Sequence, residues 1–180
     1  MIQCAPTRHN YDYEFSVSDP MKFSHIVIIN DPTNPLIEPL SVQQVWRGLV
    51  LRAEKPEMFV PWLDACVITA RSEQGLEREL RFGEARIRDQ VTFHPPMQVQ
   101  YQVPAQKDIP VSSLSMRIEI PQQDVLIVRF EYEDDSPVTD DPQEDLYKEI
   151  RQSAYREADI DTIRTIRELA AQGRLDADEQ

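Results

Sequence analysis

Glycine is scarce in this chain, which has four glycines among 180 residues. No G-x-G-x-x-G run, no G-x-x-x-x-G-K-[ST] loop and no G-x-S-x-G turn occurs in it. Nucleotide binding and the common hydrolase site therefore lack their usual sequence support. Cysteine is rarer still, because Cys4 and Cys66 are too few for a disulfide framework. The sequence predicts a reducing, cytoplasmic location.

Signals for metals, membranes and nucleic acid are also missing. The three histidines are scattered and no C-x-x-C or H-E-x-x-H pattern occurs, so we expect no metal site and no cofactor. Apolar runs reach four residues, as at 26–29 and 125–128, whereas a membrane-spanning helix needs about 20. The net charge of −13 repels nucleic acid and anionic lipid, and we expect neither as a partner.

Hydrophobic periodicity divides the chain into a short helical part, a long strand part and a final helix. Residues 1–20 show no sustained period and are expected to be a loosely attached extension. A strand over 22–30 precedes a helix that starts at the Ser41 capping box and ends near residue 54. The sequence PEMFV then begins a second short helix. The last helix is expected over 142–172, ending at Gly173 and followed by an acidic tail over 176–180.

Between residues 65 and 132 the apolar period changes to two, which predicts strands. Six are expected: 65–71, 76–82, 85–94, 97–103, 112–120 and 124–133. Their short connections predict an antiparallel meander with one apolar face, and the last helix is the only element long enough to cover that face. We therefore predict an α+β fold. A seven-stranded curved antiparallel sheet wraps around a long C-terminal helix, with two short helices between strands 1 and 2.

Several stretches of the chain resemble the AtaL-like family of the SRPBCC (START-like, helix-grip) superfamily. They are HIVIINDPTNPLI, LSVQQVWRGLVLRAEKPEMFVPWLDAC, LRFGEARIRDQVTF, FEYED and SAYREADIDTIRTIRELAAQGRL. The resemblance covers residues 21–175 and implies a START-like ligand-binding domain there. It also implies a cavity between the sheet and the last helix, typical of proteins that hold apolar or amphipathic small molecules. It transfers no catalytic motif.

Two charged residues, Arg78 and Asp89, break the apolar alternation of neighbouring strands. A two-residue loop at Gly83-Glu84 places them opposite one another on the apolar face of the sheet. Three interpretations remain open at this point. The pair lies at the rim in water, or it is a buried structural ion pair, or it lines a cavity where Arg78 offers its remaining N–H groups to a ligand.

The other candidate ligand contacts share the inner face of the sheet or the last helix. On the sheet they are Phe93, Tyr101, Met116, Phe130 and Tyr132, for which ordinary core packing is the alternative. On the last helix the apolar stripe turns round the axis at EADIDT, so the two halves are expected to meet different partners. The small side chain of Ala154 in the first half predicts a cavity there, with Tyr147 able to supply a hydroxyl.

Three functions follow from these expectations. The first is the binding of a small apolar or amphipathic ligand, lipid-like or polyketide-like, in an internal cavity. The second is an enzyme of the polyketide cyclase or dehydratase type, with Asp89, His25 or a tyrosine moving a proton. The third is a protein-interaction module without a functional cavity. No catalytic residue is assigned, and monomer and homodimer both remain open.

Overall fold

Seven strands form one antiparallel sheet in the computed structural model, which describes residues 21–135 and 142–176. The strands are β1 (Met21–Asn30), β2 (Ala65–Ser72), β3 (Gly75–Phe82), β4 (Ala85–His94), β5 (Gln98–Val103), β6 (Ser112–Gln122) and β7 (Val125–Asp134). Their order across the sheet is β1-β7-β6-β5-β4-β3-β2. The helices are α1 (Val42–Glu54), a single 3-10 turn at Pro56–Met58, and α2 (Pro142–Ala171).

The predicted fold class is confirmed: a curved antiparallel sheet, a long C-terminal helix and two short helices between β1 and β2. The observed strand bounds agree with the predicted ones to within two residues. The second short helix is a 3-10 turn, as expected where proline begins a segment too short for an α-helix. The extension over 1–20 and the last four residues of the acidic tail lie outside the described residues.

The connection from β1 to β2 crosses the inner face of the sheet, because these two strands occupy opposite edges. This crossing carries α1, which starts at a Ser41–Gln44 capping box. Gly48 on α1 allows a close contact with α2, since a Cβ there would lie 2.6 Å from the Ile166 side chain. The sequence thus places α1 across the sheet and against α2.

The second half of α2 closes the core, whereas the first half does not. Ile163, Ile166 and Leu169 are buried against the sheet and α1. In the first half, Leu146 and Ile150 are 57% and 56% exposed. The two halves therefore differ as the rotated stripe predicted, but the first half covers no core among the described residues. None of the described helices is long and apolar enough to cross a membrane.

Candidate ligand-binding site

The Arg78–Asp89 pair lies deep in the protein, with 3% and 5% of the two residues exposed. The β3–β4 register pairs them directly, as the hairpin at Gly83-Glu84 predicted, and Gly83 has the positive φ of 57° that such a loop needs. Arg78 Nε donates to Asp89 Oδ1 at 2.9 Å and Nη2 donates to Oδ2 at 2.5 Å. Nη1 donates to the Ala53 carbonyl at 2.6 Å. The rim interpretation is therefore wrong.

A cavity of about 370 Å³ lies between the sheet, the C-terminal end of α1 and the middle of α2. Much of its wall is apolar and comes from the segment after α1 and from strands β3 to β6: Pro56, Val60, Leu63, Leu80, Phe82, Ile87, Val103 and Leu114. The polar part of the wall consists of Arg52, Arg78, Asp89, Tyr101, Ser112, Ser113, Tyr132, Glu133, Asp134 and Tyr155. The buried ion pair thus forms part of the cavity wall, as well as tying β3 to β4 and α1.

Two guanidinium groups lie over one phenol ring in this wall. The Cζ atoms of Arg52 and Arg78 are 5.4 Å and 5.1 Å from the centroid of the Tyr101 ring. Cations over a tyrosine face are attracted by the negative face of the ring. The Tyr101 hydroxyl oxygen is buried and has no hydrogen-bond partner among the described residues. This end of the cavity therefore offers positive charge and a free O–H donor.

A second polar cluster lies next to the cavity and consists of His25 on β1, Tyr132 on β7 and Asp159 on α2. The Tyr132 hydroxyl donates to Asp159, with its oxygen 2.9 Å and 2.8 Å from the two carboxylate oxygens. His25 Nε2 lies 2.7 Å from Asp159 Oδ2, and the Asp159 residue is 0% exposed. Burial, followed by the negative charge of Asp159, raises the pKa of Tyr132. Tyr132 is therefore a proton donor and not a tyrosinate at neutral pH.

A family comparison adds to this geometry. The profile of the AtaL family, described as acetylaranotin biosynthesis cluster protein L, matches residues 27–173. The chain belongs to the AtaL family. No curated protein sequence matches it. The resemblance inferred from the sequence is therefore confirmed at the level of the family.

Solved structures with the same fold share little sequence with this AtaL-family protein. The di-domain aromatase/cyclase StfQ of the steffimycin pathway superposes with a TM-score of 0.63 at 10% identity, over 86% of this chain and 52% of StfQ. The chain therefore spans about half of StfQ. The Zhui aromatase/cyclase from Streptomyces sp. R1128 gives 0.56 at 11%, over 82% and 91% of the two chains. A START superfamily protein from Mycobacterium smegmatis gives 0.53 at 10%, over 84% and 99%. These similarities establish the helix-grip fold.

Four of the nine residues expected to contact a ligand lie in the cavity wall: Arg78, Asp89, Tyr101 and Tyr132. The structure does not bring the other five there. Met116 and Phe130 are 0% exposed and belong to the hydrophobic core. Phe93 packs edge-on against Trp46 of α1. Tyr147 is 61% exposed, and Ala154 is exposed too, because the first half of α2 does not cover the cavity.

Arg52 and Asp159 are two polar residues of this region that the sequence analysis missed, and it also did not name Ser112, Ser113, Glu133, Asp134 and Tyr155 of the wall. The sequence contains a signal for Arg52 and for Asp159, because both lie at helical spacing from buried apolar residues. Arg52 lies three residues after the buried Leu49, and Asp159 four residues before the buried Ile163, so both occupy apolar-face positions. Asp159 also falls inside EADIDT, where the stripe turns. A search for polar residues at apolar helical positions would have found both.

The carboxylates at the cavity edge are held by basic partners. Glu133 lies 3.4 Å from Lys22 Nζ, and Asp134 accepts from Arg151 at 3.0 Å. Within 21–135 and 142–176, no group of histidine, cysteine and acidic side chains could hold a metal ion. The residues that remain for ligand contact are the apolar wall, Arg52, Tyr101, the serines Ser112 and Ser113, and the two tyrosines of β7 and α2.

Proposed function

We propose that this protein binds an apolar or aromatic small molecule in the cavity between the sheet and the helices. The observation that carries the proposal is the cavity itself, about 370 Å³ with a largely apolar wall and one polar end. This volume lies within the range of ligand sites, roughly 300 to 1,000 Å³. The belt of leucine, valine and phenylalanine side chains suits an apolar body, while Arg52 and Tyr101 suit a polar atom on it.

The locked Arg78–Asp89 pair supports a binding role over a catalytic one. Three donors of Arg78 are already engaged, and Asp89 accepts two charge-assisted hydrogen bonds. A general base must be free to take a proton from its substrate, and Asp89 is not. The pair instead holds the backbone of α1 at Ala53, and it thereby fixes the cavity wall.

Filling the cavity should weaken ligand binding. Leu114→Trp adds volume to the wall from β6, and we expect the affinity for the apolar probe N-phenyl-1-naphthylamine to fall by more than about 10-fold. Probe fluorescence, excited outside the tryptophan band, measures the affinity. Leu146→Trp on the exposed half of α2 is the matched control and should bind as the wild type does. Equal binding by a folded Leu114→Trp variant would contradict the proposal, and native mass spectrometry would identify any molecule that co-purifies.

An enzyme of the cyclase type is the second candidate, favoured by the Tyr132–Asp159–His25 cluster. In a cyclising condensation a carbon–carbon bond forms, and two carbon-bound hydrogens leave with a ketone oxygen as water. Such a reaction needs a proton donor at that oxygen. Tyr132 is protonated and lines the cavity, and it would serve if its hydroxyl turned from Asp159 to the substrate. The resemblance in fold to two aromatase/cyclases makes this chemistry worth testing.

A short poly-β-keto thioester serves as the test substrate for this second candidate. If the protein is a cyclase, its rate of product formation should exceed the buffer rate and fall by about 100-fold or more in Tyr132→Phe. Tyr147→Phe on the exposed part of α2 is the control and should keep the wild-type rate. Product formation equal to the buffer rate, with the probe still bound, leaves binding as the function.

A further inference from the structure

We propose that the cavity selects ligands with one anionic oxygen group on an apolar body, and that Arg52 and the Tyr101 hydroxyl hold this group. The inference rests on the proposed binding function and names the class of ligand. A carboxylate or a phenolate would satisfy it. The two donors come from different elements, Arg52 from α1 and Tyr101 from β5, and both belong to the cavity wall.

The Tyr101 hydroxyl is the first observation. Tyr101 is 6% exposed, and its hydroxyl is the only buried side-chain polar atom among the described residues that has no hydrogen-bond partner. Native proteins pair nearly all such atoms, because an unpaired one has lost its water without replacement. Tyr101 belongs to the cavity wall, so a ligand that reaches past its ring can supply the missing partner. A phenol hydroxyl can donate or accept, and the two guanidinium groups over its ring are donors only, so an acceptor is the partner that suits this group.

Arg52 is the second observation, because its terminal nitrogens are unengaged. Its Nε donates to Thr162 Oγ1 at 3.3 Å, and its Nη1 and Nη2 have no acceptor within hydrogen-bonding geometry among the described residues. The Arg52 guanidinium lies over the Tyr101 ring, with its Cζ 5.4 Å from the ring centroid. Arg78 differs, since each of its three nitrogens has an acceptor. The cavity therefore contains one guanidinium with an acceptor at every nitrogen and one whose two terminal nitrogens have none.

No carboxylate of the wall is available to Arg52 within the described part of the chain. Asp89, Glu133 and Asp134 are each engaged by a basic residue. Asp159 lies behind the wall, where its oxygens accept hydrogen bonds from a tyrosine and a histidine. An anionic oxygen group of the ligand would accept from Arg52 and from the Tyr101 hydroxyl at once. Guanidinium groups suit this role, because they are always charged and present several donors in a plane.

The net charge of the chain means that a preference for an anionic ligand can be tested against a neutral one. At −13, the protein as a whole repels an anion, so preference for an anionic ligand must come from local donors. A neutral ligand with the same apolar body experiences neither the repulsion nor the local attraction. Comparing the two ligand types thus isolates the contribution of Arg52 and Tyr101.

The experiment compares two fluorescent probes in three proteins. 1-Anilinonaphthalene-8-sulfonate carries an anionic oxygen group, and N-phenyl-1-naphthylamine has the same aromatic body without it. We expect Arg52→Met to weaken the anionic probe by about 10- to 100-fold and Tyr101→Phe by about 3- to 10-fold. The neutral probe should change by less than about 3-fold in both variants. Arg52→Lys, which keeps the charge, should recover part of the loss.

Two matched controls separate a local effect from a change in total charge. Arg117→Met removes an exposed arginine from the outer face of β6, and Tyr147→Phe removes an exposed phenol hydroxyl. Neither should alter the affinity ratio of the two probes. Tyr101→Phe also keeps the test valid if Arg52→Met fails to fold, because the Tyr101 hydroxyl has no partner to lose.

The outcomes distinguish this inference from the proposed function. If both probes bind, and the ratio of their affinities is the same in wild type, Arg52→Met and Tyr101→Phe, the anion site is overturned while the cavity function stands. If neither probe binds the wild type, the anion site and the cavity function are both overturned.

A competition assay identifies the chemical group that is recognised. 2-Naphthoate should displace the anionic probe at least about 10-fold better than 2-naphthalenemethanol, its neutral counterpart. Equal displacement by the two competitors would also overturn the anion site.

Discussion

Replacing Arg78 with methionine should lower the free energy of unfolding by about 3–5 kcal/mol, measured by urea denaturation. The substitution leaves the Asp89 carboxylate, which is 5% exposed, without the two hydrogen bonds that stabilise its charge. It also removes the donor of the Ala53 carbonyl on α1. The loss is large because removing one partner of a buried pair leaves an uncompensated charge out of water.

Two further variants test this reason. Arg78→Met combined with Asp89→Leu removes both charges, and we expect its stability to return to within about 1 kcal/mol of wild type. Arg129→Met breaks a bidentate pair with Glu119 whose side chains are 35% and 27% exposed, and it should cost about 1 kcal/mol or less. A double variant as unstable as the single one would show that Arg78 acts through packing and not through charge compensation.

Phe130→Ala should destabilise the protein by about 3–5 kcal/mol in the same assay. Phe130 is 0% exposed, is paired with Met116 in the β6–β7 register, and stacks on the His25 ring with centroids 5.3 Å apart. Truncating it leaves a void in a core that is otherwise closely packed. The sequence admitted both a core role and ligand contact for this residue, and its burial assigns it to the core.

Phe82→Ala is the comparison for Phe130→Ala, because Phe82 is a half-buried phenylalanine of the cavity wall. We expect it to cost about 1–2 kcal/mol of stability and to weaken the apolar probe by about 10-fold, whereas folded Phe130→Ala should keep the wild-type affinity. A loss of probe affinity in Phe130→Ala without a loss of stability would reverse these assignments.

The sheet was predictable because its signals are local. Alternation fixed which residues of β3 to β7 face inward, and the Gly83-Glu84 loop fixed the register that pairs Arg78 with Asp89. The same reasoning could not place the cavity, since its position depends on how α1 and α2 rest on the sheet. The stripe in the first half of α2 looked like a covering face, yet Leu146 and Ile150 are exposed.

The helices carry two polar residues of the site that the apolar alternation of the strands could not predict. Arg52 and Asp159 are single polar residues within apolar stripes, and a stripe alone does not say whether such a residue is paired, solvated or directed at a ligand. Only the contacts separate these cases. Asp159 accepts from Tyr132 and His25, whereas the terminal nitrogens of Arg52 meet no acceptor in the described part of the chain.

The contact between Gly48 and Ile166 has a consequence for how ligand size is tolerated. The Ile166 side chain packs against the α1 backbone at Gly48, one turn before Arg52. This contact sets the shortest distance between α1 and α2. The next turn, which carries Arg52, is tied to β3, because the Ala53 carbonyl accepts a hydrogen bond from Arg78. The position of Arg52 relative to the sheet is therefore set by the contacts of α1 with α2 and β3, and not by a ligand in the cavity. Under the proposed binding function, differences in ligand length would be met by the apolar part of the wall, which includes Leu80 and Ile87, while the charged end stays fixed.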